Sequence, residues 1–201
     1  CMVCSLLGKE LTPKYAFVFV DEAQDISKNE YDLLMRINCK ASFDVFGDLE
    51  QNVTAWRGVG DWRAAFPDFE GFTLNQNYRN TNQIVDFVAS ALKVDMQSIG
   101  FDGPEVQHIA PRGISAFFRD KKGLKAVICS EKDKEKYLRK AYSVVSEKGR
   151  VSRTRINLMS VYESKGLEFT SVAVVPAHMT PNEKYIAYTR ALKELAIVEE
   201  K

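Results

Sequence analysis

Apolar positions along this chain fall into two patterns. Some come as short unbroken or nearly unbroken runs rich in aromatic and β-branched residues, at residues 15–20, 42–46, 71–74 ("GFTL"), 126–130 ("AVICS"), 156–161, 171–175 and 195–198. Runs of that length predict strands, and the most apolar of them, 15–20 and 126–130, predict strands buried on both faces of a parallel sheet. Other apolar residues recur every three to four positions, as Leu33, Leu34 and Ile37 do, and as Ile84, Val85, Val88 and Leu92 do. That spacing predicts helices with one inward stripe. Ser27 and Glu30 form an S-x-x-E capping box ahead of the first helix, Thr81 stands at the N-cap of the second, and Pro181 suits the first turn of a helix through Glu194. Residues 131–148 predict one charged helix with Tyr137, Leu138, Ala141, Val144 and Val145 facing a core and its charges on a solvated face. Between Val94 and Gly123 the periodicity weakens and Gly and Pro accumulate, which predicts loop with short strands.

Strand and helix alternate, so the expected fold class is α/β with parallel sheets flanked by helices. Two α/β units meet near residues 72–80, giving expected domains of 1–70 and 71–201.

Composition excludes some functions and selects none. No apolar run approaches the roughly 20 residues of a membrane-spanning helix, and no secretory leader opens the chain. Lys plus Arg number 28 against 27 Asp plus Glu, so net charge points to neither a nucleic-acid nor an acidic partner. Any such role must come from local patches. Cys1 and Cys4 read C-x-x-C, which can be half a zinc site, but a second close pair is missing and His108 and His178 are isolated. Reduced thiols in a cytoplasmic protein are the expectation.

The chemistry starts at the end of the first strand. "FVFVDEAQDIS", residues 17–27, runs four apolar residues directly into Asp21 and Glu22. In open parallel sheets ligands sit outside the carboxyl ends of the strands. A carboxylate there can hold Mg²⁺, and its neighbour can orient or deprotonate a water. Acidic residues after a strand often merely cap the next helix, but Ser27 is already the better cap.

Four further stretches follow in order: "FGDLEQNVTAWRG" (46–58), "LNQNYRN" (74–80), "LMSVYESKGLEF" (158–169) and "YIAYTRALKEL" (185–195). Together with "VDEAQD" they resemble motifs II through VI of superfamily 1 helicases of the UvrD/Rep type. The resemblance implies RecA-like sheets of the P-loop NTPase type, with the end of a first motor domain followed by a second, compact one. It implies ATP and Mg²⁺ as cofactors, Asp21 as the Mg²⁺ ligand, Glu22 as the residue activating the attacking water, and Gln51 as the sensor of the terminal phosphate. Tyr78 resembles a tyrosine that stacks on adenine, and Arg79 and Arg190 resemble two arginine fingers. Gly166 and Glu168 match the loop near the ribose, to which Lys165 also belongs. Trp56 matches an aromatic that stacks on a base of single-stranded DNA, Arg57 lies beside it, and Tyr162 stands where many relatives place a DNA-contacting histidine. The arginines make physical sense without the family, because a planar, permanently charged guanidinium suits a phosphate whose charge shifts during transfer.

The chain also departs from the pattern. The phosphate-cradling loop G-x-x-x-x-G-K-[ST] is not in the sequence: Gly8-Lys9 is followed by Glu10, with no glycine five residues earlier. The expectation is therefore the C-terminal portion of an ATP-dependent DNA helicase or translocase, a hydrolase inactive as this chain alone, with 3′ to 5′ travel implied by the family. Its partners would be single-stranded or partly duplex DNA and proteins of repair, replication or transcription. The alternative is a helicase-like ATPase that remodels an assembly such as RNA polymerase without unwinding.

Overall fold

The computed structural model describes residues 15–53, 57–140, 142–145 and 150–199. The chain divides into two units, Cys1–Phe72 and Thr73–Lys201.

In the first unit, β1 (Phe17–Val20) is followed by α1 (Lys28–Ile37), β2 (Ser42–Val45) and the single-turn α2 (Trp62–Ala65). β1 and β2 pair in parallel, Phe17 opposite Ser42 and Val20 opposite Val45. The capping box at the start of α1 forms as expected: the Ser27 hydroxyl accepts from Glu30 N, and the Glu30 carboxylate accepts from Ser27 N at 2.9 Å. Val20, Ala23, Tyr31, Val59 and Phe66 make the core of this unit. β1 is not buried on both faces, however. Phe17 and Phe19 are 65% and 67% exposed, because side chains alternate along a strand and only Val18 and Val20 point into this core.

The second unit contains β3 (Gln76–Asn77), α3 (Asn82–Leu92), β4 (Gln97–Ser98), β5 (Gln107–Ile109), α4 (Ile114–Phe117), β6 (Lys125–Cys129), α5 (Lys134–Tyr137), β7 (Tyr142–Val144), β8 (Ile156–Ser160), α6 (Val161–Ser164), β9 (Phe169–Val174), α7 (Pro181–Thr189) and β10 (Ala191–Val198). Its main sheet has the order β5-β10-β9-β6-β8-β7, every pair parallel. β3 and β4 form a separate parallel ribbon. Ala126 to Cys129 are wholly buried, as "AVICS" predicts. Val127 and Cys129 join Ile114, Phe117, Leu158 and Ala173 in one cluster, so Ala126 and Ile128 point to the opposite face. A sheet covered on both faces needs no polar alternation.

Three expected elements differ. Residues 71–74 form no strand, and Phe72 and Leu74 are 83% and 96% exposed. The helix expected over 131–148 stops at Tyr137, and Tyr142–Val144 becomes the edge strand β7. The last helix ends at Thr189 rather than Glu194, because Ala191–Val198 forms the strand that pairs with β9 and β5. Thr81 does occupy the N-cap of α3, but its side chain makes no cap bond and its hydroxyl is buried without a partner. Cys39 and Cys129 are free thiols, whereas Cys1 and Cys4 lie outside the described residues.

Candidate functional site

In the first unit the chain leaves β1 through a strained corner. Glu22 has φ 51°, the left-handed region that a side chain other than glycine rarely adopts. Its N–H donates to Asp21 Oδ1 at 2.8 Å, and its carboxylate accepts from Gln24 Nε2 at 2.6 Å. Both Asp21 and Glu22 are exposed. Ala23 N donates to Phe46 O and Phe46 N to Val20 O, so the carboxyl ends of β1 and β2 are laced together immediately around the two acids.

Gln24, wholly buried, is the hub of this corner. Its Oε1 accepts from Asp48 N at 3.0 Å, and its backbone carbonyl accepts from Val59 N and Asn52 Nδ2. Asp48 in turn accepts from Gln51 Nε2 at 2.9 Å, which fixes the glutamine expected to sense phosphate. The sequence by itself points to no role for Gln24. Apart from Glu22, its partners Asp48, Asn52 and Val59 lie 24 and more residues away, so the local signal is an amide within an otherwise acidic stretch.

Trp56 lies outside the described residues. Arg57 pairs with Glu30, Nη2 to Oε1 at 2.6 Å. Hydrogen bonds from the Ser27 side chain and backbone, and then from Arg57, pull the Glu30 carboxyl from 4.5 down to about 2.

In the second unit, Glu168 immediately precedes β9 and Arg190 immediately precedes β10. Both therefore stand at the amino-terminal edge of a parallel sheet. The carboxyl-end rule, followed by Asp21 and Glu22 in the first unit, does not extend to them. Arg79 joins them through an ion pair to Glu168 at 2.9 Å. Arg190 is only 5% exposed, and its guanidinium donates to Ile186 O, Leu167 O and Thr189 Oγ1. Tyr78 is largely exposed, and Gly166, at φ 76°, has open space where a Cβ would be. Tyr162 follows β8 and stands exposed at the opposite, carboxyl-terminal edge. The structure thus gathers Arg79, Glu168 and Arg190 and separates Tyr162 from them.

All-parallel sheets flanked by helices, with acids at the end of β1, define a RecA-like fold of the P-loop NTPase type. Residues 5–60 match the family described as "UvrD/REP helicase N-terminal domain", bearing out the resemblance stated from the motifs. Curated relatives include the ATP-dependent DNA helicase Rep of Escherichia coli, 32% identical over 78 residues, which are 36% of this chain and 12% of that protein. The ATP-dependent DNA helicase PcrA of Staphylococcus aureus is 30% identical over 86 residues, 40% of this chain and again 12% of that protein. These matches span about an eighth of either relative. Among solved structures, an arterivirus nonstructural protein 10 helicase in complex with DNA superposes with a TM-score of 0.57 at 18% identity, covering 94% of this chain and 41% of that one. The PRRSV helicase gives 0.54 at 16%, covering 90% and 34%. At such identities these two likenesses concern the fold.

Proposed function

We propose that this chain supplies catalytic and DNA-contacting groups of an ATP-dependent DNA helicase or translocase. The observation that carries the reading is the corner after β1, inside the stretch that matches the helicase family. Asp21 and Glu22 are presented to solvent there by a left-handed residue, while the buried Gln24, through Asp48, holds Gln51 in the same corner. Strain held at one exposed acid and braced by buried bonds is a feature of functional corners.

The residues suit Mg²⁺. That ion takes one or two carboxylates and completes its shell with phosphate oxygens and water. Asp21 is one exposed carboxylate, and among the described residues no group of three or more ligating side chains forms a closed cage. Asp21 would hold the ion, which would offset charge on the phosphates. Glu22 would orient the attacking water and accept its proton, and Gln51 would contact the terminal phosphate. In the second unit Arg79 and Arg190 would stabilise charge that builds on a nucleotide phosphate during transfer, with Tyr78, Gly166 and Glu168 meeting base and sugar. Trp56, Arg57 and Tyr162 would meet single-stranded DNA, Tyr162 from the sheet edge opposite the arginines. Travel would be 3′ to 5′.

The test is the ATPase rate of the whole gene product with bare single-stranded DNA. The expected result is stimulation that Glu22→Gln abolishes while nucleotide binding survives. Turnover indifferent to DNA but raised by a protein assembly would replace this reading with a remodelling ATPase.

A further inference from the structure

We infer that Asn80 is a positioning residue that sets Arg79 and Arg190 relative to one another. The inference rests on the reading of those two arginines as phosphate-facing groups.

Asn80 is 2% exposed and lies next to Arg79 in the chain. Its Nδ2 donates to Thr189 O at 3.0 Å and to Ala191 O at 2.6 Å, the carbonyls of the residues on either side of Arg190. Two carbonyl oxygens can be satisfied only by an amino group with two N–H bonds, so the chemistry fixes which way this amide faces. The remaining Oδ1 accepts from Asn77 Nδ2 at 2.8 Å. Asn77 Oδ1 accepts in turn from Arg79 N and Asn80 N, which pins the turn carrying Tyr78 and Arg79. Every polar group of the Asn80 side chain is thus engaged, and none of its donors reaches solvent.

The link closes into a ring. Arg190 O accepts from Phe169 N at 2.9 Å, and Thr81 N donates to Leu192 O, so the chain on both sides of Asn80 is tied to the start of β9 and β10. Glu168, the neighbour of Phe169, pairs with Arg79. A path therefore runs from Arg79 through Asn80 to the backbone of Arg190, on to Phe169 and Glu168, and back to Arg79. The contacts at Asn80 join residues 109 and 111 apart in sequence, and no local element holds these arginines together. The ion pair at the far side of the ring is half exposed and cannot fix geometry alone. The buried amide is the rigid joint.

Asn80→Asp keeps the shape and turns two donors into acceptors that face carbonyl oxygens. Asn80→Ser keeps one hydroxyl donor. In the whole gene product kcat for ATP should fall by about tenfold to a hundredfold in Asn80→Asp and by less in Asn80→Ser, with KM nearly unchanged, the pattern of groups displaced by a fraction of an ångström. In an Arg190→Ala background Asn80→Asp should add little further loss. A second readout needs no turnover: in the ¹⁵N-labelled 201-residue chain the Nε–H resonances of Arg190 and Arg79 should shift in both Asn80 variants. Normal kcat in Asn80→Asp beside a damaged Arg190→Ala overturns the inference alone, as do unmoved arginine resonances. Normal kcat in Arg79→Ala and Arg190→Ala overturns the reading of the arginines and the catalytic role of Asn80 with it.

Discussion

Arg79 Nη1 lies 2.9 Å from Glu168 Oε1, and both side chains remain about half exposed. An exposed pair of this kind is worth little to stability, so a nucleotide phosphate can claim the guanidinium at small cost. Arg190 is different in kind. It is buried, and its donors engage carbonyls of α7 and of the turn before β9.

Two arginines with one proposed role should therefore fail differently. Arg79→Ala in the whole gene product should lower kcat by on the order of 10³ with its melting temperature unchanged. Arg190→Ala should lower kcat by a similar factor and also destabilise the protein by about 1–3 kcal/mol, because buried carbonyls lose their donor. Lysine should rescue neither, since a point charge cannot reproduce the planar fork. Steady-state kinetics beside thermal melts decide it: equal stability losses would contradict the placement of Arg190, and wild-type kcat in both would remove their catalytic role.

Much of this architecture was legible in the chain, and two of the misreadings, the helices expected over 131–148 and through Glu194, share one cause. The Ser27–Glu30 capping box, the buried strand "AVICS" and the helix behind Thr81 depend on residues a few positions apart. Tyr137, Leu138, Ala141, Val144 and Val145 also carry helical spacing, yet Leu138 and Val144 stay exposed and β7 pairs with β8. "ALKELAIV" is built largely of good helix formers and still becomes β10, because pairing on both sides outweighs propensity. Gln24 and Asn80 gave no signal for the same reason. The Gln24 side chain accepts from the distant Asp48 N, and that of Asn80 donates to the distant Thr189 O and Ala191 O, bonds that no local pattern encodes.

The 201-residue chain by itself should show only background ATP turnover, with or without DNA. It lacks the glycine-rich loop whose backbone N–H groups and lysine cradle the phosphates. Mg²⁺-dependent hydrolysis by this chain, lost in Glu22→Gln, would show that it holds the phosphates some other way.

Acid should loosen the capping box of α1 over a defined range. Glu30 titrates near 2 in the folded chain against 4.5 ordinarily, chiefly through its bonds from Ser27 and then Arg57. A depressed carboxyl contributes stability above its unfolded value that is lost as pH falls toward the folded one. Between pH 4.5 and 2 the wild-type chain should therefore lose stability more steeply than Glu30→Gln, and the two should run parallel at neutral pH. Denaturant melts across that range check it, and identical slopes would mean that Glu30 is not held as described.

Three glycines separate strain from collision, and they test whether Gln24 braces the acidic corner. A Cβ on Gly58 would sit 2.0 Å from Gln24 O at φ +100°, so it meets the carbonyl that Val59 and Asn52 share and also an unfavourable backbone. On Gly166 a Cβ meets nothing but keeps φ +76°, and on Gly60 it meets neither obstacle. Gly60→Ala should be neutral or stabilise by a few tenths of a kcal/mol up to about 1. Gly166→Ala should cost about 1–2 kcal/mol, the left-handed penalty alone. Gly58→Ala should cost more than either, because a buried acceptor bond worth about 1–3 kcal/mol is disturbed on top of that penalty. The loss should be confined to the first unit, where hydrogen exchange of residues 15–53 would quicken while that of the second unit stays unchanged. Since Asp48 and Gln51 depend on Gln24, the same substitution in the whole gene product should lower ATPase turnover. Undisturbed exchange in Gly58→Ala would mean that the Gln24 carbonyl does not hold this corner, and the strained Glu22 would need another support.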